Sequence, residues 1–245
     1  ARSNLPGGAL QRRNTEPVQT TGGPTSSDQP VVQHAGQADI AQTVAVAERR
    51  STVSIYILCR VLLEVFNQST LACITPEMED KLEKIIFQQL KSTEPDSLLA
   101  SPLKLANWNL FAQLLGAMSE ISFTSVADRF INDLERSMQE LNTKIPTGGR
   151  DVESRIELIL IGMKHLRIRI SPPDAWERSC NFLISLGKLF NVSHGQKVKA
   201  AFCQVLEMLV LPIAATASSN DLAYPKWKEV VTTITPRLAQ LFMRP

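Results

Sequence analysis

Three stretches of the chain repeat apolar residues at the spacing of one helix face. Met78, Leu82, Ile85, Ile86 and Leu90 form the first. Val126, Phe130, Ile131, Leu134, Met138 and Leu141 form the second, and Val198, Phe202, Val205, Leu206, Leu209 and Val210 the third. Each is an i, i+3, i+4 stripe, as an amphipathic helix requires. Ser51 to Phe66 differs, being apolar almost all round, with polar Arg60 and Glu64 one turn apart. It is too long for a strand and predicts a helix buried on most of its sides.

Helix starts are marked by a hydroxyl placed directly before proline, at Thr75-Pro76, Ser101-Pro102, Ser171-Pro172 and Thr235-Pro236. Proline at the first helical position gives up no needed hydrogen bond, and the hydroxyl can accept from an orphan amide. Thr235-Pro236 is alternatively a kink within the last helix. Gly148-Gly149, Gly195 and Ser218 to Asp221 read as breaks. The starts then fall near residues 76, 102, 124, 151, 173, 196 and 225. A helix pair recurs roughly every 50 residues, near the roughly 40–47 of HEAT and armadillo repeats. The expected fold is all-α, a HEAT/armadillo-like helix-pair solenoid over residues 38–245, with a closed helical bundle as the alternative. Leu166 to Ile170 alternates with period two, but no second strand candidate exists to pair with it. It is read as a helix end running into the Ser171-Pro172-Pro173 turn.

Residues 1–37 carry five of the 11 glycines, four of the 14 prolines and no aromatic residue. Such a segment cannot bury enough apolar area to offset chain entropy, so a disordered polar tail is expected there. The whole chain has 245 residues, 44% of them hydrophobic, enough for a sizeable core in one or two domains. It begins at Ala1 and stops at Pro245, and reads as a fragment of something longer. The 26 basic and 24 acidic residues give no general pull toward nucleic acid. No signal-peptide layout is present, and the longest apolar runs are broken by Arg60 and Glu64, by Asn107 and Asn109, and by Pro212. A soluble intracellular chain without an integral membrane segment is therefore expected.

Candidate chemistry is sparse. The four cysteines, Cys59, Cys73, Cys180 and Cys203, form no close pair and no zinc-site spacing, and three of them sit in apolar helical patterns. No P-loop, dinucleotide fingerprint, nucleophile elbow or H-E-x-x-H pair occurs. His165 lies at a helix end, where a cation would complement the dipole, and His194 precedes Gly195 in a loop. A Cys/His dyad such as Cys180 with His194 is open to the sequence, and buried hydrophobic packing of Cys180 is the favoured reading. No catalytic residue, metal ligand, cofactor or small-molecule substrate is expected. Trp108, Trp176 and Trp227 are read as core, with partner anchors as the minority reading.

Charge is distributed unevenly. Thr75 to Asn142 holds six basic and eleven acidic residues, whereas Pro146 to Val205 holds nine basic and five acidic. Lys164, His165, Arg167 and Arg169, with Lys197 and Lys199 further on, make the candidate interaction patch. They are either solvated helix faces or a basic surface for an acidic partner. Nucleic acid fits less well, because no aromatic residues interleave with the patch.

Ala47 to Phe66, AERRSTVSIYILCRVLLEVF, resembles a helix of the Furry/Tao/Mor family of cell-morphogenesis proteins. So do His165 to Cys180, HLRIRISPPDAWERSC, and Leu209 to Ala215, LVLPIAA. The closing Leu238 to Pro245, LAQLFMRP, is similar to a point at which family members continue. The resemblance runs in order from about Ala38, closer to fungal members, and would place the chain in the N-terminal region. It implies a very large HEAT/armadillo-like scaffold without enzymatic activity, acting with an NDR-class protein kinase and its Mob co-activator. It further implies roles in polarised growth, cell separation and actin organisation, in the cytoplasm at the cell cortex and sites of growth. It carries no catalytic or binding residue over to this chain. A purely structural segment, with partner contacts elsewhere in the parent protein, is the alternative.

Overall fold

The apolar stripes become helices, and the helices pack mainly on near neighbours in the chain. The computed structural model describes residues 32–68, 74–144 and 149–243. Ten helices are described: α1 (Val32–Gln68), α2 (Pro76–Ser92), α3 (Pro95–Ala100), α4 (Pro102–Met118), α5 (Phe123–Lys144), α6 (Arg150–Met163), α7 (Pro173–Val192), α8 (Gln196–Thr216), α9 (Ser219–Leu222) and α10 (Pro225–Phe242). No strand occurs among the described residues. The chain divides into Ala1–Val44 and Ala45–Pro245, and α1 crosses that boundary. The disordered-tail expectation falls mainly on residues 1–31, outside the described residues. The helical pattern placed from Ala38 opens earlier, at Val32.

Within Ala45–Pro245, α4, α6 and α8 pack in succession, and α5, α7 and α10 form a second row beside them. α2 lies on α4, and α5 pairs with α6 across the rows. Alternate helices thus share a row, the pattern that stacked helix pairs produce. The core is continuous along both rows. Phe130 of α5, Leu160 of α6, Leu183 of α7 and Phe202 of α8 are fully buried. The rings of Phe87 and Phe130 meet edge to face at 5.1 Å, and Trp108 donates from Nε1 to the Leu90 carbonyl at 3.1 Å.

Local chemistry sets the starts. Thr75 accepts from the Met78 amide at 3.3 Å and Ser101 from the Lys104 amide at 3.4 Å, each with proline at the next position. The other two hydroxyl-proline pairs behave differently. α7 is capped at Pro172 without a side-chain bond, and Pro236 lies inside α10. Pro236 lacks the amide that would bond Thr232, and the adjacent Thr233 carbonyl accepts from Asn191 Nδ2 of α7 at 3.0 Å. The short α3 was not expected. α8 runs through Pro212 and is long and apolar enough, by composition, to cross a membrane. Its Val198, Phe202, Val205, Leu206, Leu209 and Ile213 are spent on the core.

Two helices turn other faces inward than expected. α1 buries Cys59, Leu63 and Phe66, but Val53, Ile57, Leu58, Val61 and Val65 are exposed. The helix expected to be buried on most sides is covered on one, because no described element lies over the rest. In α2, Ile86, Phe87 and Leu90 are buried while Met78 and Ile85 are exposed, and Glu83 takes a core position with 1% exposure. Its carboxylate accepts from Arg129 Nε and from Ser125 Oγ at 2.9 Å, both on α5. Arg129 Nη2 also reaches Asp80 at 2.8 Å. A buried carboxylate without these donors would carry an uncompensated charge. Arg129→Met is expected to cost about 3–5 kcal/mol in urea denaturation. Adding Glu83→Leu to it should restore most of the loss, because the charge leaves with its partner.

Candidate functional site

The segment 166–170 is neither strand nor helix end. α6 stops at Met163, and after a turn at Lys164 and His165 the chain runs extended until the Ser171-Pro172 step, a cis peptide bond. Leu166 is buried and Ile168 and Ile170 pack against the core, while Arg167 and Arg169 point outward. The period-two pattern is therefore real, but the strap has no neighbouring strand. Side chains take the place of a ladder. The Arg167 amide donates to Ser119 Oγ at 3.1 Å. The Arg169 amide donates to Ser179 Oγ at 3.2 Å, and that hydroxyl donates back to the Arg169 carbonyl at 3.1 Å. Ser119 closes α4, and Ser179 lies on α7, so the strap is tied to both. Ser119 and Ser179 are almost wholly buried.

Gly116 on α4 sets how close the strap can lie. A Cβ there would collide with the His165 carbonyl, so only glycine admits this approach. His165 itself departs from the expectation of a cation at a helix end. Burial, and then the Lys164 charge, hold its pKa below the usual 6.5, and its buried Nε2 has no hydrogen-bond partner among the described residues. The imidazole is neutral packing material.

The outward side chains of the strap line a cavity of about 410 Å³ with Glu120, Ile121, Phe123, Thr124, Pro172, Ala175 and Arg178. Three arginines therefore meet there, from the strap and from α7. Arg167 is held by Glu120 and, from Nη2, by Asn67 of α1 at 3.2 Å. Arg178 donates from Nη1 to Asp174 at 2.8 Å, which pulls the Asp174 pKa down. Arg169 has no side-chain partner among the described residues. Ser122, Phe123 and Thr124 bring the start of α5 into the same lining, and that helix start is already faced by the carboxylates of α2, Glu79 on Ser122 and Glu83 on Ser125.

The six residues of the candidate patch do not form one surface. Lys164, His165, Arg167 and Arg169 follow the C-terminal end of α6. Lys197 and Lys199 lie in the first turn of α8. Gly195, before that turn, has φ +80° and sits against the Glu153 carboxylate at the opposite end of α6. The stretch of α6 from Glu153 to Met163 separates the two groups by about 15 Å along the helix axis. Arg178 was missed, and its signal was present: it stands one turn after Asp174 on a helix that the strap feeds directly.

The other candidates resolve into packing. Cys180 is fully buried, with burial pushing its thiol pKa up to about 12. It stands about 18 Å along α7 from the last helical residue, Val192, whereas His194 lies exposed beyond that end, so no dyad forms. Cys59 is buried and Cys203 half-buried; Cys73 lies outside the described residues. Trp108 and Trp176 are core, and Trp227 stacks on Trp176 at 5.4 Å. Among the described residues no group of three or more His, Cys, Asp or Glu side chains is placed to hold a metal ion.

Residues 48–245 match the family model described as "Cell morphogenesis N-terminal". The chain is 40% identical over 188 residues to the cell morphogenesis protein PAG1 of Saccharomyces cerevisiae, covering 77% of this chain and 8% of that protein. It is 33% identical over 199 residues to the cell polarity protein mor2 of Schizosaccharomyces pombe, covering 78% of this chain and 8% of that one. The chain thus spans about a twelfth of the length of these relatives. No solved structure matches.

Gly116→Ala should force the strap off α4 and cost about 1–3 kcal/mol in chemical denaturation, with the Arg167 amide resonance shifted. A second expectation concerns pH. Above about pH 6.5 His165 is neutral folded and unfolded, and contributes no slope. As the pH falls below that, the unfolded chain takes up a proton that the native imidazole refuses, and stability is lost. Denaturation midpoints measured from pH 7 to 5 should fall more steeply for the native chain than for His165→Asn.

Proposed function

The chain belongs to the Furry/Tao/Mor family of cell-morphogenesis proteins, and from that premise we propose that it is a non-enzymatic scaffold segment supporting NDR-class kinase–Mob signalling. In this reading it serves polarised growth, cell separation and actin organisation at the cell cortex. The mechanism is one of effective concentration: a rigid helical surface holds kinase and co-activator together, so their meeting becomes intramolecular. The observation that carries the reading is the arginine cavity at the strap. Three arginines line one opening and the Arg169 side chain has no partner among the described residues, which suits an acidic protein surface. A structural role has its own support in the exposed Met208 and Leu211 of α8 and Val231 of α10, apolar positions of the kind on which repeats stack.

Equilibrium binding of the 245-residue chain to a purified fungal NDR-class kinase with its Mob partner, at low and high salt, tests the proposal. Binding is expected to weaken with salt. Arg169→Glu with Arg178→Glu should weaken it at least about tenfold with helical content unchanged. Lys197→Glu with Lys199→Glu, at the other end of α6, should leave it intact. Equal loss in both double variants, or none in either, overturns the cavity as the contact.

A further inference from the structure

The strap cavity is built for more than a diffuse negative surface. Its lining holds Arg167, Arg169 and Arg178 against one carboxylate, Glu120, which is committed to Arg167. Arg178 uses Nη1 on Asp174, so its remaining donors are free to turn inward. Arg169 offers its whole planar fork. Such forks match a phosphoryl group through paired hydrogen bonds, where a lysine would supply a point charge.

The fixed backbone matters as much as the charge. Both strap arginines are carried on amides tied to buried serines, so little ordering is left to do on binding. Ile121, Phe123, Pro172 and Ala175 supply an apolar wall beside the arginines, suited to the residues flanking a modified side chain. The volume of about 410 Å³ lies within the range of about 300–1,000 Å³ usual for ligand pockets. A nucleic-acid strand is disfavoured, because Phe123 is the one aromatic residue in the lining and no series of rings stands beside the arginines for successive bases to stack on.

We propose that this cavity receives the phosphoryl group of a phosphoserine or phosphothreonine in a partner protein's docking segment. The proposal rests on the reading that the cavity is a partner-binding surface and specifies what it recognises. A doubly charged phosphoryl group with three acceptor oxygens can engage arginines from the strap and from α7 together, with one more acceptor oxygen and more charge than a carboxylate brings.

The test uses the full 245-residue chain and three immobilised peptide libraries with the same random flanks, centred on phosphothreonine, threonine or glutamate. Retention is expected on the phosphothreonine library at least about tenfold above the other two, and competed by free phosphothreonine. Arg169→Ala should abolish it, with unchanged thermal unfolding. Arg178→Lys, which keeps charge but loses the fork, should weaken it severalfold. Equal retention on glutamate peptides, no retention, retention indifferent to Arg169→Ala, or equally strong binding to phosphatidylserine vesicles overturns the proposal. Kinase–Mob binding measured in parallel separates the two readings. Kinase binding that needs Arg169, without phosphopeptide retention, overturns the phosphate site and leaves the scaffold. Phosphopeptide retention without kinase binding supports the site and removes that partner.

Discussion

An extended backbone laid between helices must satisfy its amides and carbonyls without a neighbouring strand. Here two buried serine hydroxyls meet that demand, Ser119 for the Arg167 amide and Ser179 for both polar groups of Arg169. A buried amide left alone would cost on the order of 1–3 kcal/mol, so each tie decides where the strap can lie. Everything distinctive about the site follows from that placement. The apolar residues of the strap are driven inward and the arginines outward. Gly116 permits the close approach, and the cavity forms between the strap, the start of α5 and the start of α7.

The helices were legible because their starts are chemical events confined to two or three residues. Thr75-Pro76 and Ser101-Pro102 act as the sequence pattern says, and the later starts lie within a residue of their expected places. Faces were harder to read than starts. In α2 the stripe including Met78 and Ile85 competes with one through Glu83, Ile86, Phe87 and Leu90, and a charged residue argues against the second. Arg129 and Ser125, far away in sequence, tip the balance to the second stripe by satisfying the carboxylate. α1 failed for the opposite reason, since apolar composition says what a helix could bury but not what is there to cover it.

The site was half legible. The period-two alternation of Leu166 to Ile170 was visible, but a strand without a partner strand had no place among sequence signals. The serines that replace the partner are about 48 and 10 residues away from the amides they bind. Like charge joined Lys197 and Lys199, further on in the chain, to a patch from which α6 separates them. Arg178 joins the cavity because α7 doubles back beside the strap, and the local sign of it, a basic residue one turn after Asp174 on the helix that follows the strap, was passed over. The charge imbalance between Thr75–Asn142 and Pro146–Val205 names a stretch of chain, not the side chains that line one cavity.

The two ties end on different helices, and this gives the strap a second property. Its ends report separately on α4 and on α7. If the two helix rows flex against one another, one tie must lengthen before the other, and the amide protons of Arg167 and Arg169 should then trade with deuterium at different rates. The strap is in this sense a strain gauge between successive helix pairs, with its readout written into two adjacent odd-numbered amides.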